Sequence, residues 1–265
     1  MKLGITQIIL TGSAKDAIDI AKECGYDCVE LSIKDDKGCI GADSTDEEIC
    51  EVKQYADSLG IDIISTCIGA GSYNLLADGK MQQKGIEEAI KGLEVSAKLG
   101  ARTMLHTLGS ISSDLYYEDA YNNSINSLKE IAVVANKLKV ALAIEMVWNG
   151  FLFSPIEMRN LIDEVGSDYI GFYFDPGNMA VFQYPQHWVR ALGTRTKMVH
   201  FKDFKGSALN GEWTPLLSGE VNFEIVLHEL KKAGVEPIFI SEVDASLDSY
   251  KNTCDRMKEI GQYYK

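Results

Sequence analysis

Four ionisable residues end short apolar runs of the same kind: Glu145 in ALAIE, Asp175 in IGFYFD, His200 in MVHFK and Glu242 in IFISE. Side chains alternate between the two faces of a strand. Glu145 therefore shares its face with Ala141 and Ala143, and Asp175 shares its own with Gly171 and Tyr173. His200 goes with Met198 and Lys202, and Glu242 with Ile238 and Ile240. If the four runs are neighbouring parallel strands, these residues meet at one end of the sheet. Three crowded carboxylates repel and raise one another's pKa, and a divalent cation removes that cost. Three oxygen donors and one imidazole suit a hard or borderline ion with water completing an octahedron. Mn²⁺, Mg²⁺ and Co²⁺ fit best, and Zn²⁺ also fits. Two further strand-end residues follow the same pattern: Glu30 in CVELS and His106 in TMLH. Singly, such a carboxylate most often caps the next loop and such a histidine is most often structural. The signal lies in the four together.

The elements that must position these residues alternate along the chain. Apolar runs at Leu3–Thr6, Cys28–Ser32, Ile61–Ser65, Thr103–His106, Ala141–Glu145, Ile170–Asp175, Met198–Lys202 and Ile238–Glu242 read as strands. Amphipathic stretches separate them: Ser13–Cys24, Thr45–Leu59, Met81–Leu99, Tyr117–Leu138, a helix from Ser154, Pro185–Leu192, a helix opened by Asn222, and Ser246–Tyr264. Ser13 is placed as an N-cap and Thr45/Glu48 has capping-box spacing. Pro155 takes a first helical position. Asp203–Val221 reads as irregular. Parallel strands need crossover helices. Eight strand–helix units without a linker, in 265 residues, predict one (β/α)8 barrel domain over 1–265, with the ionisable strand ends at its mouth, where active sites of this fold lie.

Composition limits the partners. The net charge is −13, which repels a phosphodiester backbone and argues against nucleic acid. The six cysteines form no CxxC pair and read as reduced thiols packed as small hydrophobes. MKLGITQIILTG lacks the features of a signal peptide, and no apolar run approaches the roughly 20 residues of a membrane span. A cytoplasmic protein without membrane contact is expected. The sequence allows a homo-oligomer without specifying one.

The motifs resemble the xylose isomerase-like barrel family of sugar phosphate isomerases and epimerases, over nearly the whole chain. The resemblance is strongest in Ile144–Pro155, Phe174–Met179, Val199–Lys205, Ser218–Phe223 and Ile240–Asp244. It implies one divalent metal on Glu145, Asp175, His200 and Glu242, with the two glutamates as the acid/base pair of an epimerase or isomerase. Such a reaction removes a proton next to a ketose carbonyl and passes through an ene-diolate, which needs Lewis-acid help. Free-ketose 3-epimerases of the family tend to carry a histidine three residues after the strand-six aspartate and an arginine soon after the strand-seven histidine. Here Asn178 takes the first place, and Lys202 and Lys205 stand near the second. That resembles the phosphorylated-sugar branch, with Lys202, Lys205, Gly206 and Ser207 as a phosphate corner or, equally, as lysines balancing Asp203. Glu30 and His106 would support the metal or contact sugar hydroxyls, and Trp148 would supply an apolar wall or plain packing. The competing readings are a free-ketose 3-epimerase, a cyclic-polyol dehydratase on the same ligands, an apurinic-site endonuclease and a non-catalytic sugar-binding barrel. The endonuclease reading conflicts with the charge and with a total of four histidines.

Overall fold

Strand and helix boundaries follow local chemistry. The computed structural model describes residues 1–35, 38–68 and 74–264. In chain order the elements are β1 (Lys2–Thr6), α1 (Ala14–Cys24), β2 (Cys28–Ser32), α2 (Asp46–Leu59), β3 (Asp62–Ile68), α3 (Gly79–Leu99), β4 (Thr103–His106), α4 (Tyr117–Leu138) and β5 (Ala141–Glu145). They continue with α5 (Pro155–Val165), β6 (Ile170–Phe174), α6 (Pro176–Ala180), α7 (Pro185–Leu192), β7 (Thr196–Phe201), β8 (Asp203–Ser207), β9 (Asn210–Thr214), α8 (Phe223–Lys232), β10 (Ile238–Ser241) and α9 (Tyr250–Ile260). The expected Thr45/Glu48 capping box forms, and Ser13, expected as an N-cap, caps α1 in a second box with Asp16.

The strands close a barrel in the order β1-β10-β7-β6-β5-β4-β3-β2, and every neighbouring pair is parallel. Helices lie between successive strands, which makes this a (β/α)8 barrel. Alternation sorts the side chains as the strand pattern requires. Ala143, Tyr173, Met198 and Ile240 belong to the apolar cluster inside the barrel. Leu142, Phe172, Val199 and Phe239 belong to the larger cluster under the helices.

Strand four behaves differently from the other strands that end in ionisable groups. Leu105 belongs to the inner cluster, whereas Met104 lies against α3, its sulfur 2.8 Å from where a Cβ on Gly92 would sit. The face that His106 shares with Met104 is therefore the helix-facing one. β3 runs on to Ile68, past the expected end at Ser65, because a register shift beside Val29/Glu30 lets it keep pairing with β2 and β4. Asp175 lies just past β6 and caps α6, a short helix begun by Pro176. The last helix is shorter than expected, starting after the Ser249 cap and passing into a 3-10 turn from Gly261.

The largest departure is the segment read as irregular. Within it, β8 and β9 form an antiparallel hairpin in which Phe204 pairs with Trp213 and Lys205 with Glu212. Its turn falls on Ala208–Leu209, with Leu209 at φ 66. The residues that usually signal such a turn, Asn210–Gly211, lie inside the strand instead. Buried Asp203 fastens the base of the hairpin. Its carboxylate accepts from the amides of Phe204 at 2.9 Å, Gly219 at 2.9 Å and Val221 at 3.2 Å. It is thus satisfied by backbone. Removing it leaves buried amides without an acceptor, each costing about 1–3 kcal/mol. Asp203→Ala should therefore lower unfolding stability by at least about 2 kcal/mol, measured by urea denaturation, and Asp203→Asn by less. A loss below about 0.5 kcal/mol for the alanine variant would mean that the hairpin is held by other contacts.

Candidate metal centre and active site

β5 and β7 deliver Glu145 and His200 to one end of the barrel, and the first residues past β6 and β10 are Asp175 and Glu242. One ligand-type atom from each lies within 4.8 Å of the others. Glu145, Asp175 and His200 are buried, and the Glu242 side chain is 14% exposed. Two atoms in this cluster decide its chemistry. Nδ1 of His200 and Oδ2 of Asp175 are buried and make no hydrogen bond. Nδ1 lies 3.2 Å from a Glu242 oxygen and 3.5 Å from a Glu145 oxygen, as near neighbours rather than hydrogen-bond partners. Buried polar atoms are almost always paired. An imidazole nitrogen and carboxylate oxygens turned on one small volume are a donor set for a divalent cation, and the four residues fit one.

The imidazole is held from behind. Its Nε2 lies 3.0 Å from Oε1 of Glu30, a carboxylate with no exposed surface inside the barrel. Glu30 also accepts from the hydroxyls of Thr6 at 2.7 Å, Ser65 at 2.8 Å and Tyr173 at 2.5 Å. These four donors match the four acceptor positions of a carboxylate. With Nε2–H donated to Glu30, Nδ1 is the atom left for a metal. A carboxylate behind the imidazole in this way would fix both its tautomer and its ring orientation toward a metal.

Electrostatics describe the same crowding. Burial pushes the carboxyl of Asp175 up to about 7 and raises that of Glu145. Burial also disfavours the Glu242 carboxylate, but the neighbouring imidazole and the Lys202 ammonium outweigh it and bring Glu242 down to about 2. Burial opposes charge on His200 as well, yet Glu30, Glu145 and Glu242 together hold its pKa well above the ordinary range.

Lys202 reaches the centre itself. Its Nζ donates to Oε1 of Glu242 at 2.8 Å and lies 4.6 Å from the centre of the Trp213 ring. Gly177 permits the close approach of α6, since a Cβ there would come within 2.8 Å of the Lys202 Cβ. Asn178 is buried in the site. Its side-chain amide donates to Glu145 at 3.1 Å, and its backbone amide caps onto Asp175 at 3.0 Å. Trp148 is 46% exposed, stacks on Trp213 and donates to the Asn178 carbonyl at 3.4 Å.

The family model of the Xylose isomerase-like TIM barrel matches residues 18–260. The chain belongs to that family. A curated relative, the probable L-ribulose-5-phosphate 3-epimerase UlaE of Mycoplasma pneumoniae, is 26% identical over 262 residues, covering 95% of this chain and 84% of the relative. A D-psicose 3-epimerase structure superposes with a TM-score of 0.81 at 17% identity, over 100% of this chain and 99% of that one. The IolI protein, whose structure has a bound zinc atom, superposes with a TM-score of 0.78 at 16% identity, over 100% and 98%. These structural likenesses establish the fold.

In this family member the structure gathers Glu30, Glu145, Trp148, Asn178, Asp175, His200, Lys202 and Glu242 into one connected group. It does not gather the rest. The His106 Nδ1 accepts from the Leu108 amide at 2.8 Å, a local bond. Lys205 and Ser207 are exposed farther along the hairpin. Gly206 and Ser207 line a separate cavity of about 460 Å³ with Phe182, Tyr184, Glu220 and Asn222, and it includes none of the four donors. Glu220 accepts from the Gly206 amide at 3.3 Å, so that corner already holds a carboxylate. Sequence reasoning misses Trp213 and Tyr173 as site residues. Trp213 lies in the segment read as irregular. Tyr173 carries a usable signal, because it shares the Asp175 face.

Glu30→Gln tests this hold on the imidazole. It preserves shape but turns an acceptor into an amide and weakens the grip on Nε2–H. Mn²⁺ affinity, measured by titration calorimetry, should fall by about 10–100-fold. An unchanged affinity would separate Glu30 from the metal site.

Proposed function

We propose that this chain is a divalent-metal-dependent ketose 3-epimerase acting on a phosphorylated ketose. The observation that carries the reading is the pair of partnerless buried atoms, Nδ1 of His200 and Oδ2 of Asp175, set between two glutamates from β5 and β10. A divalent ion held by Glu145, Asp175, His200 and Glu242 would polarise the ketose carbonyl and offset the negative charge that grows as C3 loses its proton.

The chain's own residues divide the remaining work. Glu145 and Glu242 come from strands separated by β6 and β7 in the barrel, so they flank a sugar lying across the mouth. One takes the C3 proton from one face, and the other returns a proton from the opposite face. Their roles exchange with the direction of reaction. General base catalysis of this kind contributes about 10²–10⁴-fold. Asn178 holds Glu145 through its side-chain amide, and Lys202 holds Glu242. The choice of 3-epimerase is supported by the curated relatives, named as probable or putative L-ribulose-5-phosphate 3-epimerases. The preference for phosphate is supported by those names and by Asn178. Lys202, rather than Lys205, is the lysine in contact with the donor cluster, so it is the better candidate to greet an anionic substrate. The metal would be Mn²⁺, Mg²⁺ or Co²⁺ by its oxygen-rich donor set, with Zn²⁺, present in the IolI structure, as the alternative.

Epimerisation by two glutamates requires exchange with solvent. A ketose 5-phosphate turned over in D₂O should gain deuterium at C3, read by NMR. Turnover without label would point to an internal hydride shift, and loss of water from a cyclic polyol would point to the dehydratase. Charge-assisted hydrogen bonds to a phosphate make a kcat/KM preference of about 10²-fold over the free sugar the expected result. A wild-type preference for free L-ribulose would remove the phosphate from the assignment and leave the metal site intact. His200→Ala should purify with little metal; metal content equal to wild type would remove His200 from the ligand set.

A further inference from the structure

Two tryptophans tie the centre together from outside it. The rings of Trp148, in the loop after β5, and Trp213, on β9, stack with centroids 5.2 Å apart and planes 14° from parallel. Each has a polar route to a different glutamate. Trp213 lies under the Lys202 ammonium at 4.6 Å, and Lys202 donates to Glu242 at 2.8 Å. Trp148 donates from its indole N–H to the Asn178 carbonyl at 3.4 Å, and Asn178 donates to Glu145 at 3.1 Å. The two glutamates stand on strands that are not neighbours, and no hydrogen bond joins them among the described residues. His200 stands beside both, and Gly177 packs on Lys202; the stacked indoles add a further link from outside the donor cluster.

We infer that the Trp148–Trp213 stack is a positioning bracket that sets the spacing of Glu145 and Glu242. The inference rests on reading these two glutamates as metal ligands and acid/base pair. An ammonium over an indole face is attracted by the ring quadrupole. This restrains Lys202, and hence which Glu242 oxygen it occupies: Lys202 takes Oε1, while Oε2 is the oxygen near His200 Nδ1. Stacking Trp148 on the same indole carries that restraint across the mouth to α6, where the Trp148 indole bonds the Asn178 carbonyl. Neither tryptophan need touch the reacting carbon. They act through Lys202 and Asn178, so they are positioning residues. Phe204 steadies Trp213 from the paired strand, edge-on at 5.2 Å.

The test uses the full-length protein with Trp148→Leu, Trp213→Leu, Trp213→Phe and the double leucine variant. Stacked indoles couple their electronic transitions, so wild type should show a paired far-UV circular dichroism band that any of these substitutions removes. Trp213→Leu should lower kcat about tenfold with KM nearly unchanged, as expected when the ring face that attracts a partly buried ammonium is taken away. Trp213→Phe keeps a ring face under Lys202 and should recover most of that loss. Because both tryptophans act through one stack, the double variant should lose much less than the product of the single losses. Mn²⁺ titration is an independent arm: each leucine variant should weaken binding several-fold and, again, non-additively. Multiplicative losses in the double variant, or leucine variants with wild-type kcat and Mn²⁺ affinity, would overturn the bracket. Should wild type epimerise no ketose, the functional reading fails, and the Mn²⁺ arm alone then decides whether the stack governs the donor geometry. If Trp213→Leu fails to fold, Trp148→Leu and Trp213→Phe carry the same comparison.

Discussion

A carboxylate sealed inside a barrel is tolerated only if donors surround it, and Glu30 imposes that condition on the whole molecule. Its four donors come from four other strands: Thr6 on β1, Ser65 on β3, Tyr173 on β6 and His200 on β7. Each must point inward at one level, so strand register and side-chain alternation are fixed together. A one-residue slip in any of them would turn its donor toward the helices. The imidazole orientation at the mouth is thus inherited from a polar knot beneath it. The acids around the imidazole then inherit its position.

Above that knot the work is divided between strands and loops. Glu145 and His200 stand within strands near their ends, and Asp175 and Glu242 on the first residue beyond one, Asp175 held by the cap of α6. Such positions are rigid, as a donor set needs. The walls come from longer connections: Trp148 from the β5 loop, Trp213 from the hairpin after β7. Rigid donors and adaptable walls match the way this fold supports many chemistries on one frame.

Much of this arrangement is legible in residue order, because alternation within strands is a short-range property. The faces of Glu145, His200 and Glu242 follow from counting by two. The same counting misplaces His106, because it assigns a partner and not a side. Met104 shares its face, but which face looks inward depends on neighbours in β3 and β5 that lie far off in the chain. Composition hides the hairpin: Gly206, Asn210 and Gly211 look like loop residues, while the actual turn uses Leu209 in a left-handed conformation that leucine seldom adopts. Trp213 is hidden with it. Proximity in sequence to His200 puts Lys205 near the site, and the hairpin carries it away.

The hairpin leaves the barrel and returns to it at one spot, because Asp203 grips the amides of Gly219 and Val221 while the Glu220 amide bonds the Phe204 carbonyl at 2.8 Å. A segment whose ends are already clasped brings its own closure, and lengthening or exchanging it costs little closure entropy. A lineage could swap this one cassette for another and present a different wall to the same acids and imidazole. Its substrate repertoire could then drift by transplantation of a single piece of chain, with the barrel interior left unaltered.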